Sequence, residues 1–95
     1  MERKKMTPEE VESRLGSTDG WKVDSDALYK RFEFANFAES LEFVNKVGAI
    51  AERADHHPDI TFGWGYAEFR TMTHDRGGIT DVDLALVKQI DSIGK

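Results

Sequence analysis

The chain has no cysteine among its 95 residues, so no disulfide framework staples it and no thiolate is at hand for catalysis or metal binding. No run approaches the ~18 apolar residues of a membrane-spanning helix. The opening residues 1–5 are charged where a signal peptide would turn apolar. Basic residues are also in deficit, 13 against 18 acidic, for a formal charge of −5. Nucleic-acid binding needs Lys and Arg to neutralise phosphates, so the charge balance disfavours it, and disfavours an anionic membrane surface equally. The cluster Arg3–Lys4–Lys5 reads as a solvated tail. Several local signatures are missing: H-E-x-x-H, C-x-x-C, a Gly-rich phosphate loop and a G-x-S-x-G elbow. What is left is a single cytoplasmic domain over residues 1–95. Its partner is expected to be a small, weakly charged ligand or another protein. A hydrophobic content of 39% excludes disorder. A chain this size has only a modest core unless it self-associates.

The elements present are marked by caps and periodicity. Thr7-Pro8-Glu9-Glu10 carries a capping box with proline at the first helical position, and Gly16 is expected to end that short helix. After a turn at residues 17–20, Trp21–Val23 reads as a strand, followed by a turn at Asp24–Asp26. Ala27–Phe34 alternates Leu28, Phe32 and Phe34 against Tyr29, Arg31 and Glu33, which predicts a second strand with one buried face. Asn36-Phe37-Ala38-Glu39 caps the longest helix. Phe37, Leu41, Val44, Val47, Ala51 and Ala54 form its expected apolar stripe, with Gly48 marking close packing. Pro58 is expected to stop this helix and to push His57 towards extended backbone. Asp59–Trp64 and Tyr66–Thr73 then read as a hairpin with Trp64–Gly65 at its tip. A flexible loop, Asp75–Gly78, leads to a last helix capped by Thr80, with Val82, Leu86, Ile90 and Ile93 buried and Leu84 and Val87 widening the stripe. The order α-β-β-α-β-β-α predicts a two-layer α+β fold, a four-stranded antiparallel sheet covered on one face by helices. The two β-β-α halves look like a weak duplication. Edge strands in such a sheet favour pairing into a homodimer.

All three histidines, His56, His57 and His74, fall within Glu52–Asp83. With Gly65 near the turn centre, His56 lies nine residues before it and His74 nine after, so antiparallel pairing brings them back together. Glu52 and His56 are four apart at a helix end, where the carboxylate would orient the imidazole and fix its tautomer. Each residue also has a plain structural alternative. His56 suits a helix C-terminus, His57-Pro58 a surface stop and His74 a strand end. Asp83, third after Thr80, suits a helix cap, and Trp21 and Trp64 suit the core. Convergence of all three histidines favours acid–base chemistry over these alternatives. A metal site competes for the same residues, but adjacent His56 and His57 can hardly both ligate one ion.

The pattern Glu52-x3-His56-His57-Pro58-x5-Trp64-x9-His74-x8-Asp83 resembles the signature of the pterin-4a-carbinolamine dehydratases, and H-H-P-D-I with T-H-D-R-G-G-I-T-D-V-D-L-A looks like their bacterial branch. The resemblance covers nearly the whole chain. It implies a hydro-lyase that dehydrates 4a-hydroxytetrahydropterin, the product of aromatic amino acid hydroxylases, to quinonoid dihydropterin. No metal and no organic cofactor are implied. By the same resemblance His56 and His74 are the acid–base pair and His57 positions the pterin. Glu52 and Asp83 support the site, with Pro58 and Trp64 completing the signature. Gly63 and Gly65 depart from the bulkier residues usual there. Family members also act as protein-binding modules that stabilise a transcription factor's dimer, which implies an alternative regulatory or assembly role. Dimers, with further pairing to tetramers left open, are part of what the resemblance implies.

Overall fold

Thr7 accepts from the Glu10 amide and Glu10 answers through the Thr7 amide, so the first helix starts where its capping box falls. In the computed structural model, which describes residues 5–15 and 20–94, the elements are α1 (Pro8–Arg14), β1 (Lys22–Asp24), β2 (Ala27–Glu33), α2 (Phe37–Ala54), β3 (Asp59–Gly63), β4 (Tyr66–Thr71) and α3 (Asp81–Asp91). A single 3₁₀ turn, His74–Arg76, stands between β4 and α3. Gly16, residues 17–19 of the following turn, and Arg3 and Lys4 of the basic cluster lie outside the described residues. The four strands form one antiparallel sheet in the order β1-β2-β4-β3, with the second strand of each hairpin inside. The α+β class and the element order are as the sequence predicts.

Alternation sets the layers. Leu28 and Phe32 on β2, with Ala67, Phe69 and Thr71 on β4, are buried under the helices. Tyr29, Arg31, Glu68 and Arg70 lie on the other, more open face, where Arg31 pairs with Glu68 and lies over the Tyr66 ring. The core centres on Phe32, Phe43 and Phe69, whose ring centroids lie 4.8 to 5.8 Å apart. Trp21 closes one side, edge-on to Phe32, with its indole N–H donating to Asp91 at 2.9 Å. Burial of this aromatic group, with ~0.5–1.5 kcal/mol from each favourable ring pair, fixes how α2 sits on the sheet.

Several local expectations change. The buried stripe of α2 is Ser40, Phe43, Val47, Ile50 and Ala51. Phe37 and Leu41 are 44% and 38% exposed. Two apolar stripes compete on this helix. The one holding Phe43 wins because it meets Phe32 and Phe69, while the Ser40 hydroxyl donates to the Gly63 carbonyl at 2.6 Å. Gly48 does not mark close packing, since a Cβ there would meet nothing within 4 Å. β3 and β4 stop at Gly63 and Thr71, short of Trp64 and Thr73. In the 75–78 segment expected as a loop, the first two residues complete the 3₁₀ turn, which left-handed Gly77 ends and a Thr73–Gly78 bridge closes. In α3 the buried residues are Asp83, Leu84, Leu86, Val87 and Ile90; Val82 is only half-buried, and Ile93, also half-buried, lies past the helix end at Asp91.

Candidate active site

The helix end, not the proline, aims the first two histidines. α2 finishes at Ala54, and Asp55 takes the left-handed conformation (φ 51°, ψ 42°), which Asp tolerates better than most residues. The His56 amide then reaches back to the Ala51 carbonyl at 3.1 Å, the wide hydrogen bond of a Schellman ending. This reversal turns His56 inward. His57, the next residue, points outward on the approach to β3, with half-buried Pro58 behind it.

His56 is 7% exposed, and its Nε2 lies 2.6 Å from Oδ1 of Asp83, which is fully buried. Asp83 holds the third position of α3 and reaches back to accept from the Thr80 amide at 2.9 Å, so it completes a capping box as its position predicts. It does more than cap. Thr71 Oγ1 donates to the same Oδ1 at 2.6 Å, and Thr73 Oγ1 donates to Oδ2 at 2.8 Å. Thr80 Oγ1 lies 2.8 Å from Thr73 Oγ1 and accepts from the Val82 amide. Four partners therefore surround one buried carboxylate, two on each oxygen, so its hydrogen-bonding capacity is filled. Among the described residues no buried side-chain nitrogen or oxygen lacks a hydrogen-bond partner.

Glu52 is not the partner of His56. Its Oε1 lies 2.8 Å from Nε2 of His57, on the surface. The i,i+4 expectation fails because the left-handed residue at Asp55 takes His56 off the helical path before its side chain can face Glu52.

His74 is exposed at the first position of the 3₁₀ turn, next in sequence to Thr73. The chain thus gathers the histidines around Asp83: His56 by direct contact, His57 and His74 as immediate neighbours of residues that touch the carboxylate or pair with it. Strict strand pairing does not do this. The hairpin centre falls between Trp64 and Gly65, and the last pair is Asp59 with Arg70. Carried onward, that register would set His56 opposite Thr73, one residue short of His74. Trp64 is 72% exposed at the tip of the hairpin, at the far end of β3 from the histidines, about 17 Å of strand away. The structure does not bring it to the site. Gly65 beside it has φ +81°, the conformation that a type II turn needs at its third residue.

Sequence reasoning missed Thr71 and Thr73. The available signal was alternation: both continue the inward face of Ala67 and Phe69, where a buried hydroxyl demands a partner. Among the described residues no three His, Cys, Asp or Glu side chains converge as a metal ion would require. No helix among them is long and apolar enough to cross a membrane.

Residues 4–93 match the family model described as "Pterin 4 alpha carbinolamine dehydratase". A protein of Halorhodospira halophila carrying the name "Putative pterin-4-alpha-carbinolamine dehydratase" is 43% identical, covering 94% of this chain and 84% of its own. One of the same name from Sulfolobus acidocaldarius is 40% identical over 94% of this chain and 98% of its own. Among solved structures, a "transcriptional coactivator/pterin dehydratase" from Brucella melitensis superposes with a TM-score of 0.88 at 27% identity, covering 96% of this chain and 99% of that one. A pterin dehydratase-like RuBisCO assembly factor of the alpha-carboxysome shares the fold, with a TM-score of 0.67 at 23% identity, over 80% of this chain and 90% of that one.

Proposed function

The chain belongs to the pterin 4 alpha carbinolamine dehydratase family, and from that premise we propose that it dehydrates 4a-hydroxytetrahydropterin by histidine acid–base catalysis. The reaction breaks the C4a–O bond. One group delivers a proton to the departing hydroxyl, which leaves as water, and another accepts the N5 proton as the C4a–N5 double bond of quinonoid dihydropterin forms. Both transfers suit imidazoles, which titrate close to neutrality. His56 and His74 are the transferring pair. His57, exposed and paired with Glu52, holds the pterin by hydrogen bonding. The observation that carries this reading is a nearly buried imidazole seated on a wholly buried carboxylate at 2.6 Å, with His57 next to it in the chain and His74 next to Thr73, which donates to the same carboxylate. Recycling of the pterin cofactor of an aromatic amino acid hydroxylase in the cytoplasm is the corresponding cellular role.

The test is direct. 4a-Hydroxytetrahydropterin is generated by an aromatic amino acid hydroxylase and its dehydration is followed by stopped flow. A rate well above buffer is expected from the wild type. No acceleration at micromolar enzyme would remove the dehydratase reading.

Self-association belongs to the same reading. β3 is an edge of the sheet. On it Phe62 stacks against Phe37 of α2, with centroids 5.8 Å apart, and Phe37 and Leu41 remain exposed. A second copy pairing along β3 across a two-fold axis would extend the sheet and cover this apolar strip. The strip is also the observation that favours the second reading, a protein-binding regulatory or assembly module. Sedimentation of the wild type and Phe37→Glu separates these. A homodimer lost in the variant supports self-pairing, and a monomer at micromolar concentration contradicts it.

A further inference from the structure

Thr71 occupies a core position and is fully buried, on the same face of β4 as Ala67 and Phe69. Valine would fill the same volume there with no polar atom to satisfy. Its hydroxyl is spent on Asp83 Oδ1, the oxygen that also meets His56. Each Asp83 oxygen has two partners, and three of the four are held by backbone: Thr71 by the end of β4, Thr73 by its bridge to Gly78, and the Thr80 amide by the start of α3. A carboxylate held at three points has no freedom to rotate, so the direction in which Oδ1 accepts from His56 is set before any substrate arrives. The hydroxyl protons are set as well. Thr80 donates to Thr73, because the Thr73 proton goes to Oδ2 and the Val82 amide occupies Thr80 as an acceptor.

We propose that Thr71 is a positioning residue: by pinning Asp83 Oδ1 it holds neutral His56 with the proton on Nε2 and leaves the Nδ1 lone pair as the atom that takes a proton from the substrate. An oxygen of a carboxylate only accepts, so Nε2 must donate to it. Nδ1 makes no hydrogen bond among the described residues. Since no buried side-chain nitrogen there lacks a partner, Nδ1 is the ring atom that reaches the surface. Its catalytic consequence rests on the dehydratase reading: His56 is the base for the N5 proton, and His74 is the acid for the hydroxyl.

The experiment is ¹⁵N–¹H NMR of the imidazole rings in the wild type, Thr71→Val and Thr71→Ser, with kcat and KM for each. In the wild type His56 shows a slowly exchanging Nε2–H proton and an unprotonated Nδ1. Thr71→Val broadens or loses that proton signal and lowers kcat about tenfold, the worth of one hydrogen bond to a charged group, with KM unchanged. Thr71→Ser restores both. A wild type protonated on Nδ1, or a folded Thr71→Val with the wild-type signal and kcat, overturns the proposal. The wild-type spectrum decides the tautomer even if the valine variant fails to fold. A wild type with the expected signal, lost in Thr71→Val, and no dehydration above buffer keeps the positioning role and removes the dehydratase reading instead.

Discussion

Two adjacent histidines each meet a carboxylate through Nε2, His56 with Asp83 at 2.6 Å and His57 with Glu52 at 2.8 Å. By distance the contacts are near twins. Their side-chain exposures are 7% and 0% for the first pair but 55% and 79% for the second. Water screens the outer pair, which contributes about 0–1 kcal/mol and weakens with salt. The inner pair sits in a low-dielectric setting, and three further donors share its carboxylate, so removing one member strands the others. Contact length says little about consequence; burial and the remaining partners decide it. The left-handed residue at Asp55 is what sends one histidine to each environment.

The comparison breaks first at Asp83. Asp83→Ala leaves His56, Thr71 and Thr73 without their buried acceptor, and should cost about 3–5 kcal/mol of unfolding free energy. Domains of this kind have ~5–15 kcal/mol in all, so the variant should stand close to unfolding. Urea titration measures it, and a loss below about 1 kcal/mol would mean that the inner pair is worth no more than the outer. His74→Ala sharpens the distinction between chemistry and architecture. The residue is exposed, so stability should hold while the dehydration rate falls ~10²–10⁴-fold, the usual worth of a positioned acid or base. An equal loss in thermal stability would assign His74 a structural role.

The outer pair should respond more gently. Glu52→Gln and His57→Ala are expected to change unfolding free energy by no more than about 1 kcal/mol. Steady-state kinetics should show a raised KM with kcat nearly kept, the mark of lost ground-state binding. A large fall in kcat alone would place His57 in the chemistry. Smallest of all is Gly48→Ala. The site has open space and lies inside α2, so alanine should add about 0.5–1 kcal/mol, read as a rise in the denaturation midpoint without change in activity.

Much of the fold is legible because local signals and tertiary packing agree. Thr7, Asn36 and Thr80 cap where their sequence contexts predict, and the hairpin turns at Trp64–Gly65. That the three histidines lie near the open end of one hairpin is legible too, but the pairing expected to set His56 beside His74 stops at Asp59 and Arg70. What is not legible depends on a choice between near-equal alternatives. α2 carries two apolar stripes, and only contact with Phe32 and Phe69 selects Phe43 over Phe37. Asp83 reads as a cap and is one, but its second role depends on where the end of β4 places Thr71 and the bridge to Gly78 places Thr73. The pairing of Glu52 with His57 depends on a single left-handed residue that Asp adopts without glycine's permissiveness.

In the proposed mechanism His56, through its seat on Asp83, moves a proton while its neighbour His57 only holds the substrate. Stopped-flow dehydration of hydroxylase-generated 4a-hydroxytetrahydropterin, with wild type, His56→Ala and His57→Ala compared at saturating substrate, tests it most directly. A ~10²–10⁴-fold fall in kcat above background is expected for His56→Ala and a kcat close to wild type for His57→Ala. A folded His56→Ala protein as fast as the wild type would contradict it.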